Sequence, residues 1–200
     1  MRLTLHTFLT LDGVMQAPGG PDEDREGGFT HGGWSFPYGD EEFANPITGW
    51  FEHADAFLLG RKTYDIFNSY WPQHDDPDDP VASRLNRLPK HVASRSRSTF
   101  EWQNTAHISD VVSEVTKLKE QPGDELQVHG SGALAHTLIE HDLIDEYRLM
   151  IFPVHLGSGK KLFADGVKAA SLRLLSSTAT SSGIVIATYQ PAGDVRYGSY

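Results

Sequence analysis

Two stretches decide how this chain folds: Phe57-Leu58-Leu59-Gly60-Arg61-Lys62-Thr63-Tyr64 and Leu126-Gln127-Val128-His129-Gly130-Ser131-Gly132-Ala133-Leu134. Each is an apolar, strand-like run that ends in glycine and opens a helix. Glycine lets the backbone come close to a ligand. A helix start aims free N–H groups and a partial positive charge at the same point. Phosphate matches both properties, and Arg61, Lys62 and Thr63 add a planar guanidinium, an ammonium and a hydroxyl. On spacing alone, a helix start with solvated basic side chains accounts for the first junction equally well. Gly130-Ser131-Gly132 is too short for the dinucleotide glycine signature and lacks the lysine of a P-loop.

Strands and helices alternate around these two points. A first strand is predicted over residues 2–11, with Leu3, Leu5, Thr7 and Leu9 alternating against Thr4, His6, Phe8 and Thr10. Residues 13–40 are rich in Gly and Pro and too long for a passive connector, so they read as functional or mobile. Phe29, Trp34, Phe36 and Tyr38 predict that their second half packs down. Phe43, Ile47, Trp50 and Phe51 predict a helix within 41–54, with Pro46 arguing for a later start. Further strands are predicted over 56–59, Lys90 to Ser94, Ala106 to Ile108, 125–129 and Glu146 to Val154. Helices are predicted from Arg61, over 81–88, from an N-cap at Ser109, and after Gly132. Residues 171–179 and 183–190 read as a closing antiparallel pair. The order implies one α/β domain over residues 1–200. Its sheet is open and mostly parallel, with an antiparallel edge and helices on both faces.

Composition narrows the function classes. The chain has 38% apolar and 22% charged residues, as soluble globular proteins do. Its net charge of −10 argues against general nucleic-acid binding, which needs a basic face. With no cysteine, disulfides, thiolate metal sites and a cysteine nucleophile are excluded. No apolar run reaches the ~18 residues of a membrane span, and the N-terminus lacks a signal-peptide core. A cytoplasmic protein that binds no membrane is expected. The ten histidines show no metal-ligand spacing, so no metal is expected.

In order, the two junctions and three further segments resemble the dihydrofolate reductase-like superfamily. The nearer resemblance is to stand-alone relatives of the reductase domain of the riboflavin-biosynthesis protein RibD. The further segments are the first strand ending Leu11-Asp12-Gly13, then Leu143-Ile144-Asp145-Glu146-Tyr147-Arg148-Leu149, then Pro153-Val154-His155-Leu156-Gly157-Ser158-Gly159-Lys160-Lys161-Leu162-Phe163. The resemblance implies a central eight-stranded sheet with NADPH across the carboxyl ends of its strands. It also implies a homodimer, to which Glu146–Val154 and Pro153–Phe163 would contribute.

Residue roles follow from the same resemblance. Gly60, Arg61, Lys62 and Thr63 resemble a segment that holds cofactor phosphates. Ser94, Arg95 and Ser96 resemble the strand end at the adenosine 2′-phosphate. Gly130, Ser131, Gly132, Ala133 and Leu134 resemble the loop and helix start under the diphosphate and nicotinamide. Two arginines near that monoester favour NADPH over NADH. Dihydrofolate reductases have two glycines joined by a cis peptide where this chain has Gly130-Ser131, and the isomer stays open here.

For the reaction, Glu42 resembles the acid of the first helix, with Asp40 and Glu41 as alternatives, and Asp12 resembles a polar substrate-side position. Trp34, Tyr38 and Tyr64 are candidate walls for a flat heterocycle, whereas Phe67 reads as core. The expected activity is NADPH-dependent reduction of a small pterin-like or pyrimidine-like heterocycle. The alternative is a nucleotide-binding or ligand-sensing protein without turnover.

Overall fold

The computed structural model describes residues 1–199. Eight strands form one sheet: β1 (Arg2–Thr10), β2 (Ala54–Gly60), β3 (Lys90–Ala93), β4 (Thr105–Ile108), β5 (Glu125–His129), β6 (Glu146–Phe152), β7 (Leu172–Ala179) and β8 (Val185–Pro191). Their order is β4-β3-β2-β5-β1-β6-β8-β7. All neighbours from β4 to β6 pair in parallel, and β8 runs antiparallel to both β6 and β7. This is the expected mostly parallel sheet with an antiparallel edge.

Among the described residues five α-helices cover it: α1 (Glu41–Glu52), α2 (Arg61–Tyr70), α3 (Pro80–Arg87), α4 (Val111–Glu120) and α5 (Gly132–Glu140). On one face, Leu3, Leu5, Leu58, Leu126 and Val128 pack against Val115 of α4 and Leu138 of α5. On the other, Phe57, Leu59 and Val92 pack against Phe51 of α1, Tyr64 of α2 and Leu85 of α3. The near-continuous apolar reading of β2 follows from this, because both of its faces are covered.

Several boundaries differ from expectation for local reasons. Helix α1 starts at Glu41 despite Pro46, because the Asp40 carboxylate accepts from the Phe43 N–H at 2.8 Å and caps the helix before the proline. Asp110, not Ser109, caps α4, accepting from the Ser113 N–H at 3.2 Å. Strand β6 lies between β1 and β8 and is buried almost throughout, so it offers no dimer surface. The edge strands of the sheet are β4 and β7, and on β7 Leu174 and Leu175 are exposed. The long segment 13–40 is tied down. Gln16 donates to the carbonyls of Asp24 (3.1 Å) and Glu26 (3.0 Å) and accepts from the Lys160 N–H at 3.0 Å.

Lys90 is a buried cation at the start of β3. Leu85 lacks the backbone donor four residues on, because residue 89 is proline. The Lys90 Nζ takes that place, donating to the carbonyls of Leu85 (2.8 Å) and Leu88 (2.9 Å). It also stands 4.5 Å from the Trp102 ring centre, and burial pushes its pKa down to about 8. Replacing Lys90 with Met leaves two carbonyls without a donor. Urea unfolding is expected to show a loss of about 1–3 kcal/mol.

Candidate active site

The two glycine junctions meet. Gly60 ends β2, and Ser131 follows β5 with φ of 56°, after Gly130 with φ of 54°. These two left-handed residues turn the Ser131 hydroxyl back onto β2, where it accepts from the Gly60 N–H at 2.9 Å. The same hydroxyl donates to the His129 carbonyl at 2.9 Å, and the Ser131 N–H donates to Thr63 Oγ1 at 3.2 Å. Among the described residues no peptide bond is cis, so Gly130–Ser131 is trans.

The side chain that could cap α5 is therefore spent on the neighbouring strand. Helix α5 has no side-chain cap, and neither does α2, whose N-cap is Gly60. Both helix starts, Arg61 to Thr63 and Gly132 to Leu134, line one cleft at the carboxyl ends of the strands. The cleft encloses about 2370 Å³, more than the roughly 300–1,000 Å³ that single small ligands occupy. It has room for a dinucleotide and a second molecule. Ser94, Arg95 and Ser96 line it beyond the end of β3.

The cations there are unequally engaged. Arg61 pairs with Asp65 at 2.6 Å, and Asp65 also pairs with Arg97. Lys62 pairs with Glu26 from the long segment, and Lys160 pairs with both Asp24 and Glu26. Hydrogen bonds from Lys160 and Lys62 hold the Glu26 carboxyl at a pKa of about 2. Arg95 is exposed beside the two serines. Of the cofactor-side candidates, Arg95 is thus free of the ion pairs that hold Arg61 and Lys62.

The proposed acids do not reach the cleft. Phe43, Ile47 and Trp50 form the cleft-facing side of α1. Glu42 is turned about 100° from Phe43, is exposed, and accepts from the Ser181 N–H in the β7–β8 turn. Asp12 serves the first turn after β1. It accepts from Thr10 Oγ1 at 2.5 Å and from the Gly157 and Leu156 N–H groups at 2.7 and 3.2 Å. The Thr10 hydroxyl bond leads in lowering its pKa to about 2. Asp40 caps α1, and Glu41 is exposed in its first turn.

The proposed walls also change. Trp34 and Tyr38 pack edge-on against Phe152 at 5.2 and 5.7 Å, away from the cleft, and Trp34 Nε1 donates to the Gln16 carbonyl at 2.8 Å. Tyr64 is sealed between α2 and the sheet, its hydroxyl accepting from the Trp102 N–H at 3.0 Å. Helical periodicity places Thr63, Ile66, Phe67 and Tyr70 on the cleft side of α2, so Phe67 is a wall and Tyr64 is core.

Sequence reasoning missed the floor. His6 of β1 and His129 of β5 lie opposite each other in register and stack at 4.7 Å between centroids. Both line the cleft. Beneath them Glu125, wholly buried, accepts from Arg148 at 2.5 and 3.0 Å and from Arg2 at 2.8 Å. The available signal was the polar alternate face of three strands: Thr4 and His6, Glu125, Gln127 and His129, Glu146 and Arg148. One such face on a single strand signals solvent, and only the pairing of β5-β1-β6 makes it a buried network.

Burial first, and the charge of Arg148 after it, keeps both imidazoles neutral, with His129 adding to the effect at His6. The His6 pKa lies well below its ordinary value and that of His129 falls to about 3. Unfolded histidines take up protons below about pH 6.5 and the folded His129 does not, so this pair costs stability increasingly as pH falls from there toward 3. NMR of labelled histidines at about pH 5 is expected to show both rings unprotonated.

The fold and the cleft define a dihydrofolate reductase-like α/β protein. The chain belongs to the RibD C-terminal domain family, whose model matches residues 2–186. It is 32% identical over 194 residues to the uncharacterised Bacillus subtilis protein YyaP, covering 94% of each chain. A solved protein provisionally assigned to riboflavin biosynthesis, from Shewanella sp. PV-4, superposes with a TM-score of 0.68 at 21% identity, over 96% of this chain and 99% of that one. Dihydrofolate reductase from Enterococcus faecalis, solved with NADP(H), gives 0.61 at 13% identity, over 95% and 96% of the two chains. These likenesses establish a reductase-like fold. Among the described residues no helix is long and apolar enough to cross a membrane.

Proposed function

We propose that this protein is an NADPH-dependent reductase that passes hydride to a small heterocycle held between α1, α2 and the floor of the cleft. One observation carries the reading. Two uncapped helix starts, stapled together by Ser131, share a cleft with a serine- and arginine-bearing strand end. Free N–H groups at Arg61 to Thr63 and Gly132 to Leu134 suit a diphosphate. Ser94, Arg95 and Ser96 suit a monoester some distance away, as a 2′-phosphate is. The chemical donor set therefore fits NADPH, which supplies the hydride when bound.

The chain's own contribution is to position the reacting rings between apolar walls. Phe8, Phe43 and Trp50 give the acceptor end apolar walls, and segment 13–40 covers the cleft through Met15 to Gly20. No carboxylate of α1 is placed to protonate an acceptor there, so the proton that completes reduction comes from water.

That absence also favours a second reading, a nucleotide-binding protein without turnover. NADPH oxidation, followed spectrophotometrically across pterins, pyrimidinones and quinones, separates the two. Tight NADPH binding with no oxidation by any acceptor supports the second.

Arg95→Ala tests the cofactor reading itself. A charge-assisted contact is worth about 1.5–3 kcal/mol, so NADPH affinity is expected to fall by roughly 10–100-fold while NADH affinity stays within about twofold. Equal losses for both, or no binding of NADPH by the wild type in fluorescence titration, overturns it.

A further inference from the structure

The turn after β3 carries a second arginine. Ser94 Oγ accepts from the N–H groups of Ser96 (3.3 Å) and Arg97 (3.0 Å), which folds Ser94 to Arg97 into one tight turn. Ser94, Arg95 and Ser96 line the cleft and Arg97 does not. The Arg97 guanidinium instead lies 4.8 Å from the Phe100 ring centre and 5.4 Å from that of the buried Tyr64. Among the described residues, its Nε is one of two buried side-chain polar atoms without a partner. A guanidinium does not give up its charge in a protein. Arg97 therefore plants a permanent positive charge on an aromatic bed just outside the cleft.

Asp65 connects that charge to the cleft. It lies one helical turn beyond Arg61 on α2 and lines the cleft. Its two oxygens go to different arginines. Oδ2 accepts from Arg61 Nη1 at 2.6 Å, and Oδ1 accepts from Arg97 Nη2. The shared carboxylate carries the Arg61 guanidinium toward the end of β3, beside Ser94 to Ser96. Two positive charges thus face one negative charge. All three side chains are more than a third exposed, so these pairs exchange readily with water or a ligand.

An Arg61–Asp65 pair alone would be neutral and would offer an anion little attraction. With Arg97 on the other oxygen, the carboxylate is matched without Arg61. Arg61 meets Asp65 through Nη1, which leaves the Nη2 and Nε donors of its fork for a phosphate.

We propose that Arg97 is a positioning residue for cofactor binding that acts through Asp65. It takes up the carboxylate that would otherwise neutralise Arg61, so that Arg61 joins Arg95 in receiving a phosphomonoester at the end of β3. The inference rests on the reading of this strand end as the monoester seat. A monoester of nearly two negative charges gains most from the arrangement, and a hydroxyl in its place gains little.

Adenosine 2′,5′-bisphosphate and AMP differ only in the 2′-phosphate and isolate this end of the cofactor. Calorimetry on the whole chain is expected to show the wild type binding the bisphosphate about tenfold or more tighter than AMP. Arg97→Met keeps an unbranched side chain on the two rings and removes the charge. It is expected to weaken the bisphosphate by about 3–10-fold and to leave AMP within about twofold. Asp65→Asn removes the neutralising charge and is expected to tighten the bisphosphate by about the same factor. The double variant is decisive. Without Asp65, loss of Arg97 is expected to change bisphosphate affinity by less than about twofold, whereas a residue that only shapes the turn costs the same in both backgrounds.

An Arg97→Met loss of equal size with and without Asp65 overturns the proposal. No loss at all, or an equal loss for AMP, does the same. If Arg97→Met does not fold, Asp65→Asn decides alone, and unchanged or weaker bisphosphate binding counts against the proposal. A wild type that does not prefer the bisphosphate to AMP brings down the monoester reading and this inference together. A wild-type preference that Arg97→Met leaves intact brings down the inference only.

Discussion

The hydrogen bond from the Gly60 N–H to the Ser131 hydroxyl is the constraint on which the site depends. Strands β2 and β5 are neighbours in the sheet, but pairing alone leaves the turns beyond their ends free to diverge. Ser131 joins them with one side chain, and the Thr63 hydroxyl adds a second tie from α2. Both helix starts then face the same space. The cost is local: a non-glycine residue sits at φ 56°, a region that serine enters reluctantly. The hydroxyl that would cap α5 is also diverted to β2. An uncapped helix start is a loss to the free fold and a gain to an anionic ligand.

The sheet is divided by chemistry as well as by face. On the α4–α5 side β1 contributes Leu3, Leu5 and Leu9 to an apolar core. On the α1 side the same strand contributes Thr4 and His6 to a polar network with Glu125, Gln127 and Arg148. A buried ion pair adds little stability for its desolvation cost. Its service here is to orient. Glu125 collects donors, and the hydrogen bonds above it, through Thr4 and Gln127, hold the two imidazoles at the cleft floor.

The long segment over the cleft belongs to the same logic. Its acids pair with Lys62 and Lys160 at the mouth, where phosphate groups are proposed to lie. An anion bound there, as proposed, would compete with Glu26 for Lys62. Gln16 holds the segment from within.

What the sequence determined by itself was whatever depends on local order along the chain. The alternation of β1, the apolar runs of β2 and β5 and the glycine stops after them dictate strands, helices and a mostly parallel sheet, because those signals live within a few residues. The two strand–glycine–helix junctions were legible for the same reason. Tertiary structure decided which side chains face the cleft. One residue of helical rotation separates Phe43, a cleft wall, from Glu42, which faces the β7–β8 turn, and three separate Phe67 from the buried Tyr64. A linear pattern does not carry that phase until the helix has packed. Nor does it carry the meeting of His6 with His129, residues 123 positions apart that only strand pairing brings face to face. The glycine junctions of the cleft are written in motifs, and its polar floor exists only where three strands lie side by side.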